Sequence, residues 1–330
     1  MNISCPLCKR DGARYRMTAP FDCKSFKPIK FGAIYECGSC SFGFVHPRPT
    51  RSETDAFYEL DSYYTHGKSH MPDTGKAAML SRLRTHLAWR ADAGRTLSQV
   101  IRAHLAPTAA IVDIGCGGGN LLRELSAVGY RMIGVERDAS SVSRIEDDCE
   151  VLEGSAEFLP TSLSAEAYEG VVFSHVVEHL VDPVNAVRLA ASLLHPRGMM
   201  FIEVPNNESE VAKQSGETWE HLDVPRHLNF FGKRSIHELV KAAGMRVVDT
   251  YFGGYNRYFH DSYIATEQRI YDQFIACGWK PLNRTRNSAT RSWRLLCRTA
   301  LAEAPRKYDS IGVVAVPGAA QCAPSDLPHG

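Results

Sequence analysis

The segment that most constrains the fold is a glycine-rich loop between a short apolar run and a helical pattern. The run Ala109–Ile114 is rich in β-branched residues, and the following segment, Gly115–Gly119, contains four glycines. Glycine permits sharp turns and lets a ligand lie against bare main chain, where a side chain would collide. A strand, a glycine loop and a helix in this order are typical of the nucleotide-binding edge of a doubly wound sheet. The sequence therefore predicts an α/β fold with a ligand site at this loop.

The spacing of the glycines distinguishes between cofactors. The loop reads Asp113-x-Gly115-x-Gly117-x-Gly119, whereas dinucleotide-binding enzymes carry G-x-G-x-x-G, so a nicotinamide dehydrogenase is disfavoured. The loop resembles the cofactor loop of class I S-adenosylmethionine (SAM) methyltransferases. This resemblance implies that SAM is the cofactor, that the loop carries its methionine part, and that Asp113 lies near the methionine amino group.

From residue 109 onward, strand patterns alternate with helical patterns, as expected for a parallel sheet with helices on both faces. The resemblance implies a Rossmann-like, seven-stranded sheet whose last strand is antiparallel. It places a basic, helical insert (255–308) between the last two strands, 245–252 and 311–316. We predict a methyltransferase domain over residues 107–317 and a disordered tail over 318–330.

Residues 51–106 are expected to form a helical connector. Its main element is predicted to be one helix from about Leu80 to Leu105, with apolar positions that include Leu83, Leu87, Val100 and Ile101.

Four cysteines near the N-terminus indicate a metal site. Cys5, Cys8, Cys37 and Cys40 form two C-x2-C pairs separated by 28 residues. Two such pairs can surround a tetrahedral zinc ion, so residues 1–50 are predicted to be a zinc ribbon. Two disulfides, or a redox-active C-x-x-C, are the alternatives, and reduced cytosolic thiols and the lack of a βαβ context disfavour them.

Further residues match the SAM-binding motifs of the same family. Glu136 ends the second strand, where a carboxylate can accept both ribose hydroxyls. The loop after the third strand, with Ala156, Glu157 and Phe158, resembles the segment that lies along the adenine. Ser174 and His175 begin the motif that follows the fourth strand and faces the sulfonium and its methyl group. In that motif Glu178 and His179 recur as a pair, with a structural role more often than a catalytic one.

The acceptor side is predicted in the stretch 219–231, which holds His221, Asp223, Arg226 and His227 within seven residues. His227 is the candidate general base, because His227-Leu-Asn-Phe-Phe231 resembles a segment of sugar C-methyltransferases that also carry an N-terminal four-cysteine zinc domain. Those enzymes have a glutamate where this chain has Arg226, so their substrate does not transfer directly. Packing of His227 beneath the next helix, a metal site at His221, Asp223 and His227, and an oxyanion-binding role for Arg226 are the alternatives.

The composition of the chain restricts its expected location and binding partners. The formal net charge is +1, and neither an apolar run of transmembrane length nor an apolar N-terminal signal region is present. We therefore expect a cytoplasmic enzyme without a membrane span. Its acceptor is predicted to be a small or carrier-linked metabolite, a sugar nucleotide or glycan above all. A nucleic-acid methyltransferase that grips its substrate with the ribbon, and an inactive zinc-ribbon scaffold, are the competing hypotheses.

Overall fold

The structure is a computed structural model that describes residues 2–55, 57, 79–138, 149–281 and 285–318. Except for Gly318, the predicted tail lies outside the described residues. The strands are β1 (Arg14–Thr18), β2 (Ala33–Glu36), β3 (Gly43–Val45), β4 (Ala110–Ile114), β5 (Arg131–Glu136), β6 (Glu150–Glu153), β7 (Tyr168–Ser174), β8 (Leu194–Pro205), β9 (Asn229–Phe230), β10 (Met245–Gly253) and β11 (Ser310–Pro317). The α-helices are α1 (Arg51–Asp55), α2 (Met79–Ala91), α3 (Leu97–His104), α4 (Asn120–Ser126), α5 (Pro183–Ala191), α6 (Glu210–Ser215), α7 (Lys233–Ala242), α8 (Asp261–Ala276), α9 (Ala289–Thr299) and α10 (Ala304–Lys307).

Seven of these strands form the main sheet, in the order β10-β11-β8-β7-β4-β5-β6. The contacts from β8 through β6 are parallel, whereas β11 is antiparallel to both β8 and β10. The predicted seven-stranded α/β fold with an antiparallel last strand is therefore confirmed. Because the carboxyl ends of parallel strands share one edge, the loops after β4 to β8 converge there.

Both faces of the sheet are covered, which explains why its strands read as continuous apolar runs. Along β7, Val171 and Phe173 pack into one apolar cluster and Val172 packs into another. Successive side chains of a strand point to opposite faces, so these two clusters are the two layers of core that flank the sheet.

The predicted helix from Leu80 to Leu105 is wrong in one respect, because the structure has two helices there, α2 and α3. Thr96 caps α3: its side chain accepts from the amide of Gln99, whose side chain accepts from the amide of Thr96. This capping box starts a new helix and ends the previous one. Gly94 lies in the break, where an added Cβ would come 2.9 Å from the carbonyl oxygen of Phe252.

Helix α2 also buries a different face from the one its pattern predicts. Leu83 and Leu87 are exposed, and the buried side chains are Ser81, Arg84 and Ala88. The Arg84 guanidinium donates to Phe259 O (2.9 Å) and to the carboxylate of Asp261 (2.6 Å). This buried cation anchors α2 to the insert, which contains a 3₁₀ turn, Asn256–Phe259, followed by α8, α9 and α10. Among the described residues no helix is long and apolar enough to cross a membrane.

A second, smaller sheet has the order β1-β2-β3-β9 and is antiparallel. Its first three strands belong to the predicted ribbon, but β9 comes from the chain far beyond it, just after His227. The ribbon and the acceptor-side loop are therefore joined by backbone pairing, which the sequence did not indicate.

Candidate functional site

The glycine loop joins β4 to α4 at the carboxyl edge of the main sheet. Gly115, Gly117 and Gly119 have φ values of +78°, +53° and +72°, a region that side chains with a Cβ rarely adopt. A Cβ at Gly115 would lie 2.6 Å from a methyl carbon of Val176, so packing also requires glycine there. At Gly117, no heavy atom of the described residues lies within 4 Å of an added Cβ. The loop thus presents bare main chain to open space.

Two acidic side chains flank this open space. Asp113 is buried, and its Oδ1 atom has no hydrogen-bond partner among the described residues. Burial, and then the charge of Glu136, raise the pKa of Asp113 to about 7. The carboxylate of Glu136 accepts from the amide of Gly117 at 2.8 Å and from the amide of Arg137 at 2.9 Å. A buried carboxylate with one oxygen that has no hydrogen-bond partner among the described residues fits the ammonium group of a methionine moiety.

The loop after β6 is closed by two backbone hydrogen bonds between Ser155 and Phe158. Ala156 is buried, while two thirds of the Phe158 side chain is exposed. The guanidinium of Arg51 lies 4.4 Å from the centre of the Phe158 ring, and its Nη1 atom lies 3.0 Å from the carboxylate of Glu157. Arg51 thus covers one face of the ring that the sequence assigned to the adenine. The sequence did not single out Arg51, since α1 is remote in the chain.

After Ser174, the last residue of β7, His175 adopts a left-handed backbone conformation with φ of +55°. Its Nδ1 atom lies 3.4 Å from Glu178 Oε1 and its Nε2 atom lies 3.5 Å from Glu203 Oε1. Burial by itself lowers the pKa of His175, but the two carboxylates outweigh it and raise that pKa to about 10. The ring is therefore an imidazolium at neutral pH, with no lone pair for accepting a proton.

His227 has the opposite protonation state. Its Nδ1 atom lies 2.8 Å from the carbonyl oxygen of His221, and a carbonyl can only accept, so Nδ1 carries the hydrogen. Burial lowers the pKa of His227 to about 4. The ring is thus neutral at pH 7 and its Nε2 atom holds a free electron pair. The ring of His179 lies edge-on to it at 4.5 Å between centroids, and burial likewise lowers the pKa of His179 to about 4.

A second polar group lies beside these histidines. Arg257 Nη2 donates to His221 Nε2 at 3.0 Å, and the same guanidinium is ion-paired with the buried carboxylate of Asp309. Burial, followed by the charge of Arg257, lowers the pKa of His221 to about 3. Arg257 comes from the insert and Asp309 from the start of β11. The sequence gave no local signal for either, because only the antiparallel strand brings them to this edge.

The alternatives proposed for Arg226 and Asp223 are not supported. The Arg226 side chain is fully buried, donates to the carboxylates of Asp223 (2.6 Å) and Asp22, and contacts the carbonyl of Phe57. It is therefore not available to an oxyanion of an acceptor. Asp223 is committed to Arg226, so the predicted set of His221, Asp223 and His227 does not converge on one point. Instead, the ligand atom of His227 lies within 4.8 Å of those of Glu178 and His179, and the ligand atom of Asp223 lies within 4.8 Å of those of Asp22 and Cys23.

The four N-terminal cysteines converge as predicted. Sγ atoms of Cys5 and Cys40 are 3.7 Å apart and those of Cys8 and Cys37 are 3.6 Å apart, too far for disulfides. All four lie within 4.8 Å of one another. A tetrahedron with Zn–S bonds of about 2.3 Å has edges of about 3.8 Å, so the geometry fits a zinc ion bound by four thiolates.

The seven-stranded sheet with its antiparallel strand β11, and the glycine loop after β4, agree with the fold that the resemblance to SAM-dependent methyltransferases implied. The model of a methyltransferase-domain family matches residues 84–250, just over half of the chain, and the chain belongs to this family. It is accordingly an enzyme of the methyl-transferring class, and this membership implies SAM as the methyl donor.

Curated relatives are distant. Ubiquinone biosynthesis O-methyltransferase of Burkholderia thailandensis is 27% identical over 161 residues, which cover 44% of this chain and 68% of that protein. The human mitochondrial enzyme of the same name is 26% identical over 175 residues, and the match covers 46% of each chain, so it spans about half of the human protein. Among solved structures, a SAM-dependent methyltransferase from Archaeoglobus fulgidus is similar, with a TM-score of 0.46, 18% identity, and coverage of 66% of this chain and 92% of that one.

Proposed function

We propose that this enzyme transfers the methyl group of SAM to a hydroxyl group of a small or carrier-linked metabolite, with His227 as the general base. The observation that carries the proposal is the neutral His227 ring with a free Nε2 electron pair, on the loop that follows β8. That loop begins at the carboxyl edge of the sheet, beside the end of β7. Proton removal by a positioned imidazole is the contribution that attack by a hydroxyl requires.

The donor would be held by the residues around the glycine loop. In our proposal Asp113 receives the ammonium group, the main chain of Gly115–Gly119 lies along the methionine part, and Glu136 accepts the ribose hydroxyls. Ala156, Glu157 and Phe158 would border the adenine, and Ser174 and His175 the methyl group. Bound SAM supplies an electrophilic methyl group on a sulfonium. The protein then has to bring the acceptor oxygen into line with that methyl group.

Polar side chains favour a hydroxyl-rich acceptor. The side chains of His175, Glu203, His221 and Arg257 are each between 15% and 34% exposed and lie within one network of charges. Such a lining can exchange hydrogen bonds with sugar hydroxyls. We therefore propose a sugar nucleotide or glycan as the first acceptor to test. The four-cysteine ribbon beside the His227 loop supports a sugar as the acceptor, because sugar C-methyltransferases also carry an N-terminal four-cysteine zinc domain.

A phenol is the second candidate acceptor. The curated relatives are named for O-methylation in ubiquinone biosynthesis, and their matches cover 44% and 46% of this chain. A phenolic hydroxyl releases its proton more readily than an alcohol, which suits a base whose pKa is low.

The test is transfer of label from methyl-labelled SAM to a panel of sugar nucleotides, oligosaccharides, catechols and RNA. Label on a sugar or a phenol that is lost in His227→Asn supports the proposal. His237→Asn is the control, because the hydrogen bond of His237 that the structure describes is to Thr250 of the edge strand β10, and this variant should retain full activity. Full activity of His227→Asn would eliminate the proposed base. Label on RNA alone, or failure to bind SAM, would favour the competing hypotheses.

A further inference from the structure

Arg48 follows the last strand of the ribbon and contacts two loops of the methyltransferase part. Its Nε and Nη2 atoms donate to the carbonyl of Val181 at 3.2 and 2.9 Å, and Nη2 also donates to the carbonyl of Leu180 at 3.1 Å. Nη1 donates to the carbonyl of Leu228 at 3.1 Å, and Nη2 to the side-chain oxygen of Asn229 at 2.5 Å. One planar guanidinium therefore ties the turn after β7 to the loop that carries His227.

Asn229 connects the same two loops from the other side. Its side chain is buried, and Nδ2 donates to the carbonyls of Val177 (2.9 Å) and Leu180 (2.8 Å). The amide of Leu228 donates to the carbonyl of Glu178 at 2.8 Å. Leu228 and Asn229, the two residues that follow the proposed base, thus donate hydrogen bonds to backbone carbonyls of the turn that contains Glu178 and His179.

Backbone pairing with the ribbon completes the arrangement. Phe44 of β3 lies opposite Asn229 of β9, and the amide of Val45 donates to the carbonyl of Leu228 at 3.0 Å. Gly43 faces Phe230 so closely that an added Cβ would lie 2.9 Å from the Cβ of Phe230. Arg48 is three residues beyond Val45, so strand pairing and the guanidinium contacts act on the same short segment.

We propose that Arg48 is a positioning residue through which the four-cysteine ribbon holds His227 and the turn 177–181 in register for methyl transfer. This inference rests on the proposed function, since it assumes that His227 acts on the acceptor. Within the part of the chain that the structure describes, Arg48 forms no hydrogen bond or ion pair with the glycine loop or with Glu136, so its contacts support the acceptor side of the site. Loss of Arg48 should impair turnover without weakening donor binding.

The expected result is a fall in kcat of about 10²-fold in Arg48→Met, because a displacement of about 1 Å of a reacting group costs that much. The dissociation constant for S-adenosylhomocysteine should stay within about twofold. Arg48→Lys should fall between wild type and Arg48→Met, since an ammonium restores the charge but not the planar fork. Arg95→Met is the matched control: Arg95 also pairs across to another element, Asp249 and Thr250 of β10, but away from these loops.

Two further measurements on the full-length, metal-loaded chain test the positioning role without an acceptor. Hydrogen–deuterium exchange in Arg48→Met should rise in segments 177–181 and 226–230 and stay unchanged in 115–119. Nitrogen NMR of histidine-labelled protein should show His227 changing from the tautomer with hydrogen on Nδ1 to a mixture, with partial recovery in Arg48→Lys.

Unchanged exchange and an unchanged His227 tautomer in Arg48→Met would overturn the inference. So would a rise in exchange that includes 115–119 together with a loss of S-adenosylhomocysteine binding, because Arg48 would then support the whole domain. If His227→Asn is fully active, the proposed base is wrong, and exchange and kcat in the Arg48 variants still decide whether the ribbon positions these loops.

Discussion

The Nδ1 atom of His227 lies 2.8 Å from the carbonyl oxygen of His221, six residues earlier in the same loop. This hydrogen bond fixes the tautomer of His227, and burial keeps its ring neutral. His175 nearby is held as a cation by Glu178 and Glu203. One site therefore contains a neutral and a charged histidine whose states are set by their surroundings rather than by pH near neutrality.

This arrangement predicts the pH dependence of turnover. The pKa of His227 is lowered to about 4, so the ring loses its proton as the pH rises through 4 and is in its proton-accepting form above that. The pKa of His175 is raised to about 10, so it stays charged up to that pH. With both substrates saturating, kcat should be constant between pH 6 and 8. A twofold fall of kcat near pH 6.5 would instead indicate a base with the ordinary pKa of histidine.

Donor binding should depend on pH through Asp113. Its pKa is raised to about 7, so the carboxyl group is mostly protonated at pH 6 and mostly ionised at pH 8. Because an ammonium group prefers the ionised form, S-adenosylhomocysteine should bind about tenfold more tightly at pH 8 than at pH 6. Calorimetry in buffers of different ionisation enthalpy should detect proton release at pH 7. Asp113→Asn should abolish this dependence, and a slope that persists in the variant would assign it to another group.

Comparing Gly117→Ala with a control substitution should separate the cost of backbone strain from the loss of space for the ligand. Its φ of +53° makes alanine unfavourable by about 1 kcal/mol. Gly244→Ala, at a φ of +83° after α7, is a matched control, because no described atom lies within 4 Å of its added Cβ either. Both variants should lose similar stability in urea unfolding. Only Gly117→Ala should lose affinity for S-adenosylhomocysteine, by at least about tenfold; equal affinities would argue that the donor does not lie on this loop.

The cysteine cluster predicts one zinc ion per chain. Mass spectrometry of the native protein should find this stoichiometry, and Cys40→Ser should lose it, since three thiolates bind more weakly than four. Cys297→Ser, an exposed residue of α9, should keep the metal. Metal retained in Cys40→Ser together with none lost from Cys297→Ser would show that zinc is held elsewhere.

The contacts of Arg84 with the insert should contribute to the free energy of unfolding. Arg84→Met removes hydrogen bonds to Phe259 and Asp261 and leaves the Asp261 carboxylate without its cation. We expect a loss of about 2 kcal/mol in the free energy of unfolding, since Asp261 is partly exposed. Arg82→Met on the exposed face of α2 should be neutral within about 0.5 kcal/mol. An equal effect of the two substitutions would mean that the ion pair contributes nothing.

Local patterns were sufficient for the main sheet and for the residues along its edge. Apolar runs such as 170–174 are long enough to mark buried strands, and β7 indeed ends at Ser174. Positive φ at Gly115, Gly117 and Gly119 follows directly from their being glycines in a tight loop. The sequence pattern does not show the boundary between α2 and α3. Apolar residues continue at helical spacing across it and predict one helix, although Thr96 and Gln99 form a capping box there.

The sequence by itself determined the class of enzyme, the glycine loop and the two C-x2-C motifs of the four-cysteine cluster, because each depends on residues close together in the chain. Only the tertiary structure decided the partners of those groups. It buried Arg226 against Asp22 and Asp223, placed Arg257 and Asp309 beside His221, and joined the ribbon to the His227 loop through β9 and Arg48. The physical reason is that contacts between distant segments depend on which strand edges and buried charges remain to be satisfied once the sheet has formed, and no local pattern encodes that choice.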